Sequence, residues 1–89
     1  MKNLRVVKVK DKYRIEYDNN KKTYYLGFQL ATKLNIDLNK MIDYLEKNFN
    51  AKFIKTSDGT IFEFDTIQQT KDVIEWIDSA IIMRKIIET

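Results

Sequence analysis

At 89 residues the chain has room for one hydrophobic core and not for two, because a chain this short buries little more than half of its unfolded surface. Apolar residues at 44% and charged residues at 33% place it among globular domains and outside the disordered class, so residues 1–89 read as a single domain. Cysteine and histidine are both absent, which excludes disulfides, thiolate metal sites, a cysteine nucleophile and the usual general base near neutral pH.

The net charge of +3 is modest but unevenly placed. Residues 1–22 hold Lys2, Arg5, Lys8, Lys10, Lys12, Arg14, Lys21 and Lys22 against Asp11, Glu16 and Asp18, and the remainder is slightly acidic. Any attraction for a polyanion therefore belongs to the N-terminal part. The opening MKNLRVVKVK alternates charge with valine where a signal peptide carries an apolar block. No apolar run approaches the ~18 residues of a membrane span, so the expectation is a cytoplasmic protein with no membrane contact. Abundant Lys, Asn and Ile with no proline suggest AT-rich coding, as in an AT-rich bacterium or its phage.

From Leu4 to Phe28 the pattern alternates and is rich in Val, Tyr and Ile, which predicts a three-stranded antiparallel meander. A three-residue loop, Lys10 to Lys12, would put Val7 and Val9 on the face of Tyr13 and Ile15, whereas a two-residue loop would put Lys8 there. Asn19 and Asn20 tolerate positive φ, so a two-residue turn between Asp18 and Lys21 is the natural second hairpin. Its register sets Tyr17 against Lys22, Ile15 against Tyr24 and Tyr13 against Leu26, and it segregates an apolar face from a polar one.

Gly27 ends the strand region, and Leu30, Ala31 and Leu34 follow at helical spacing. Asp37 is the expected N-cap of a second helix whose stripe is Leu38, Met41, Ile42, Leu45 and Phe49. AKFIKTSDGTIFEF predicts a hairpin turning at Asp58-Gly59, with Lys55 opposite Phe62, Phe53 opposite Phe64, three phenylalanines on one face and Ile54 beside Glu63 on the other. Thr66-Ile67-Gln68-Gln69 fits a capping box, and Val73, Ile74, Ile77, Ala80 and Ile81 form the main stripe of a long C-terminal helix. The fold class is α+β: an N-terminal three-stranded meander, a short helical pair, a β-hairpin and a long C-terminal helix.

Four constellations carry functional readings. The order helix, turn, helix, hairpin from Leu30 to Phe64 resembles the winged helix-turn-helix family, with LNKMIDYLEKNFN as the reading helix and KFIKTSDGTIFEF as the wing. The resemblance implies a dimeric DNA-binding regulator contacting DNA through Lys40 and Lys47 of the helix and Lys52 and Lys55 of the wing. The sequence departs from that family's pattern in carrying Asp43 and Glu46 on the same helix surface and no arginine there to read guanine. The competing reading is an ordinary packing helix.

On the meander, the expected register sets Arg14 opposite Tyr25 with Lys8 and Lys21 nearby, the parts of a single-strand nucleic-acid platform; a solvated sheet face is the competing reading. Glu63 and Asp65 could share a strand face and hold a hard cation, although two such carboxylates are more often solvated surface. In the C-terminal helix, Trp76, Ile82, Met83 and Ile87 form a second apolar surface for a protein partner or a homodimer seam, unless both hairpins cover it.

The reading these residues favour is a non-enzymatic protein with no cofactor and no metal that acts through a protein partner. A phage or mobile-element accessory factor that inhibits or redirects a host machine fits that description. Nucleic acid is the alternative partner, through a winged-helix regulator.

Overall fold

A computed structural model describes residues 4–18 and 20–88, with side chains described through residue 79. The expected surface residues Ile82, Met83 and Ile87 therefore lie outside the described side chains. The chain is α+β, in the order β1 (Leu4–Val9), β2 (Lys12–Asp18), β3 (Thr23–Tyr25), α1 (Phe28–Lys33), α2 (Leu38–Phe49), β4 (Lys52–Thr56), β5 (Gly59–Glu63) and α3 (Ile67–Glu88).

Strands β1, β2 and β3 form an antiparallel sheet in that order, and β4 and β5 form a hairpin. Two isolated bridges, Tyr13 with Phe64 and Gly27 with Ile61, suture the hairpin to the meander. Tyr13 and Phe64 exchange backbone hydrogen bonds of 2.8 and 2.9 Å, the Leu26 N–H donates to Ile15 O at 2.7 Å, and the Phe62 N–H donates to Leu26 O at 2.9 Å. The free edge of β2 is thus shared, part taken by β3 and part by Phe64, the residue that follows β5.

The three expected registers each shift. The β1–β2 turn has two residues, Lys10 and Asp11, with Lys10 at φ 58°, so Val6 faces Ile15 and Lys8 faces Tyr13. A one-residue change in loop length moves every side chain of the strand to the other face. Lys8 is tolerated on the Tyr13 side because its stem can lie along the ring, with its ammonium 5.8 Å from the ring centre. Leu4, opposite Tyr17, packs against the core, and Val6 takes the position opposite Ile15.

The β2–β3 connection spans residues 19–22, and Tyr17 pairs with Tyr24. That is a shift of two from the expected register, so the apolar and polar faces survive. The change brings Leu26 beside Ile15, both fully buried. At its start the Asp18 carboxylate accepts the Asn20 N–H at 2.8 Å, and Asn20 takes φ 74°.

The β4–β5 turn is Ser57-Asp58, one residue earlier than expected, and Gly59 opens β5 at φ 107°. Thr56 ties this turn: its hydroxyl donates to Gly59 O at 2.8 Å and accepts the Asp58 N–H at 3.0 Å. Phe53 consequently faces Phe62 and Ile54 faces Ile61, while the three phenylalanines still share one side. The Phe53 and Phe62 ring centres are 4.7 Å apart.

The helices form where the spacing placed them. Asp37 accepts the Lys40 N–H at 3.2 Å as the N-cap of α2, a contact worth ~1 kcal/mol. Asn50 ends that helix in the left-handed region at φ 52°. Thr66 and Gln69 close the capping box of α3 reciprocally, at 2.9 and 3.2 Å, and the Gln69 amide also donates to Phe49 O at 2.9 Å, linking α3 to the end of α2. Met41 and Leu45 of α2, Val73 and Ile77 of α3, and Leu30 and Ala31 of α1 are buried against Ile15, Phe62 and Phe64. Each large apolar side chain so buried contributes ~1.5–3 kcal/mol.

Gly27 meets β5 so closely that a Cβ there would lie 2.3 Å from Thr60 O and 2.6 Å from the Ile61 Cα. Neither backbone atom can turn aside as a side chain could. Gly27→Ala is expected to cost about 3 kcal/mol in urea unfolding, against about 1 kcal/mol for Gly59→Ala, which strains φ but meets no atom within 4 Å. Equal losses for the two variants would contradict this close approach.

Candidate binding surface

The suture between the sheets also sets the charges. Because Tyr13 faces Phe64, the flanking Lys12 and Arg14 of β2 fall opposite Asp65 and Glu63. Arg14 is only 7% exposed; it donates from Nε and Nη2 to Glu63 Oε2 at 3.0 and 2.9 Å, and from Nη1 to Asp58 Oδ2 at 3.2 Å. Its guanidinium carbon lies 5.0 Å from the Tyr25 ring centre. Burial pulls the Arg14 pKa down, and hydrogen bonds to Glu63 and Asp58 more than offset it, so the group stays charged with its pKa raised.

These contacts bear on two of the constellations in the sequence. Glu63 and Asp65 pair with Arg14 and Lys12 of β2, and among the described residues no three acidic, cysteine or histidine side chains gather as a metal site. The platform of Lys8, Arg14, Lys21 and Tyr25 is not assembled either. Arg14 and Tyr25 share one face, Lys8 faces Tyr13 on the other, and Lys21 is exposed in the β2–β3 loop. The Arg14 guanidinium is committed to carboxylates and has little surface left for a phosphate.

On α2, Lys40 and Lys47 are exposed, and Lys47 pairs with Asp43 at 3.3 Å. Lys52 and Lys55 are exposed on β4, three residues apart, and so project to opposite sides of the strand. Trp76 is half-buried, stacked on the Tyr44 ring with centres 4.7 Å apart and planes 14° apart. One face of the indole is thus covered by α2.

A surface that the sequence reading did not single out lies where β3 passes into α1. Leu30 and Ala31 turn inward and Gly27 sits against β5, so Phe28, Gln29, Thr32 and Lys33 are left on the outside of α1. Phe28 is 56% exposed, more than Ile67 at 45% or Tyr44 at 40%. Beside it Tyr24, packed on Tyr17 with ring centres 6.5 Å apart, carries two ammonium groups, Lys22 and Lys33, each 5.4 Å from its ring centre. An open groove of about 290 Å³ runs between Tyr24, Phe28, Gln29, Thr32 and Lys33. A second, polar cavity of about 300 Å³ adjoins it across Tyr24 and Gln29, with Glu16 and Asp58 on its walls. Phe28 lies off the Leu30, Ala31, Leu34 stripe, and that offset was the signal available in the sequence.

Two charge contacts yield predictions. Replacing Arg14 by Met leaves the mostly buried Glu63, 15% exposed, without its partner, at an expected cost of ~2 kcal/mol, and the double variant Arg14→Met/Glu63→Met is expected to recover most of it. Urea unfolding of both checks this, and equal losses in the single and double variants would contradict it.

The second concerns pH. The Lys12 hydrogen bond, at 2.6 Å, and its charge hold the Asp65 carboxyl below the ordinary 3.8. A depressed folded pKa gives a contribution that is complete above pH 3.8 and is lost as pH falls through the lower folded value. Carboxyl NMR titration is expected to show Asp65 ionising below 3.8 and moving back up in Lys12→Met. An unchanged titration would dissolve the pair.

Among the described residues no helix is long and apolar enough to cross a membrane. Comparisons with protein families, with curated proteins and with solved structures find no match to this chain.

Proposed function

We propose that this chain is a non-enzymatic binding protein that acts through a protein partner, in the manner of a small phage or mobile-element accessory factor that inhibits or redirects a host machine. The observation that carries the reading is Phe28. An aromatic ring 56% exposed, on a helix whose neighbouring residues Leu30 and Ala31 are fully buried, is held out at the mouth of a groove instead of collapsing into the core. Single exposed apolar residues are ordinary on protein surfaces. An exposed aromatic with a groove and a cation beside it has the composition of a protein-interface anchor.

The winged-helix reading is supported by the order α1, α2, β4, β5 and by the exposed Lys40, Lys47, Lys52 and Lys55. Against it, Asp43 and Glu46 are exposed on α2, and the two β4 lysines project to opposite sides. Fluorescence anisotropy of labelled double- and single-stranded DNA across several salt concentrations separates the readings. The expected result is weak binding that Lys40→Ala/Lys47→Ala barely changes. Binding at micromolar or tighter, with a steep salt slope that this double variant reduces, would replace the protein partner with DNA.

A further inference from the structure

We infer that the partner segment seated between Tyr24 and Phe28 is acidic and carries one large apolar side chain, which enters the groove while a flanking carboxylate meets Lys33. This rests on the protein-partner reading and adds the chemistry of the segment.

Size limits the occupant first. At about 290 Å³ and open to solvent, the groove sits at the lower edge of the ~300–1,000 Å³ typical of small-molecule sites, which also enclose most of their ligand. A cavity of about 150 Å³ holds one benzene ring, so this groove takes a large apolar side chain together with the backbone beside it, between Tyr24, Phe28, Gln29, Thr32 and Lys33.

Charge limits it next. The groove has no carboxylate on its walls, and Glu16 and Asp58 lie in the adjoining cavity, where Arg5 and Arg14 already engage them. Among the described residues no carboxylate pairs with Lys33; its ammonium is held by the Tyr24 ring alone. Lys22 approaches the same ring, so two like charges share one aromatic neighbour. A carboxylate brought to that point is attracted by the Lys33 ammonium. Because the ring already orients Lys33, less side-chain entropy is lost when it binds.

Nucleic acid fits the same surface less well. A strand laid along Tyr24 would bring phosphates toward Glu16 and Asp58, and Arg14 lies buried between two carboxylates.

The test titrates the full-length protein with four fluorescent probes. They are a twelve-residue Glu/Ser peptide with one central Phe, the same peptide with Ser for Phe, a Lys/Ser peptide with the Phe, and a twelve-nucleotide thymidine strand. The first is expected to bind at least tenfold more tightly than each of the others. Its amide shift changes should centre on Tyr24 to Lys33, and affinity should fall at least fivefold in Lys33→Glu while Lys33→Arg keeps it. Circular dichroism of each variant guards against loss of fold. Equal binding of the first three peptides, no binding of the first, or shifts centred elsewhere would overturn the acidic-segment proposal while leaving a protein partner in place. Tightest binding by the thymidine strand at these residues would overturn both.

Discussion

The contact on which the rest of the architecture depends is the approach of Gly27 to Thr60 and Ile61. Without a side chain at position 27, the chain leaving β3 can lie directly against β5, and Leu26 can hydrogen-bond to Ile15 on one side and to Phe62 on the other. The two-stranded hairpin, marginal at best alone, thereby shares one core of Ile15, Leu26, Phe62 and Phe64 with the three-stranded meander. The same contact fixes where α1 begins. Leu30 and Ala31 must face inward from that start, and Phe28 must face out. The candidate surface is a consequence of how the core is closed.

Charge reinforces the seam more than it drives it. The triplets Lys12-Tyr13-Arg14 and Glu63-Phe64-Asp65 lie antiparallel, an apolar pair between two oppositely charged pairs. Slipping by one residue would set Tyr13 against a carboxylate and a basic residue against Phe64, so the charges specify register. Their weights differ with burial. Lys12 and Asp65 are exposed and largely screened, whereas Arg14 and Glu63 are mostly removed from water, where separating the partners is costly even if the pair itself adds little. Arg14 is better understood as a register device than as a source of affinity for phosphate.

Much of this fold was legible in the sequence, and the parts that were not have physical causes. Apolar periodicity located the elements, and short-range chemistry located the caps at Asp37 and Thr66, because both depend on residues within a few positions of each other. Turn length was harder to read. Lys10 adopts positive φ without being Gly, Asn or Asp, and Thr56 draws the β4–β5 turn forward by a side-chain hydrogen bond that dipeptide rules do not contain. The two-residue error at β2–β3 left the faces intact, while the one-residue error at β1–β2 moved Lys8 to the wrong side and dissolved the platform built on it. The complementary triplets were present as text, but pairing residues some fifty positions apart needed the bridge between Tyr13 and Phe64 to select them. Phe28 carries no periodic signal, because apolar spacing marks the stripe that packs and an exposed ring lies off it.

What remains is a small chain without histidine or cysteine whose exposed aromatic and cationic groups converge at the junction of β3 and α1. Site-specific photo-crosslinking in living cells, with a photoreactive phenylalanine analogue at position 28 and a control at position 39 on α2, tests that convergence most directly. Discrete nuclease-resistant protein adducts from position 28, reduced by Lys33→Glu and absent from position 39, are the expected result. Adducts from position 39 alone, or adducts from position 28 that nuclease removes, would contradict the account.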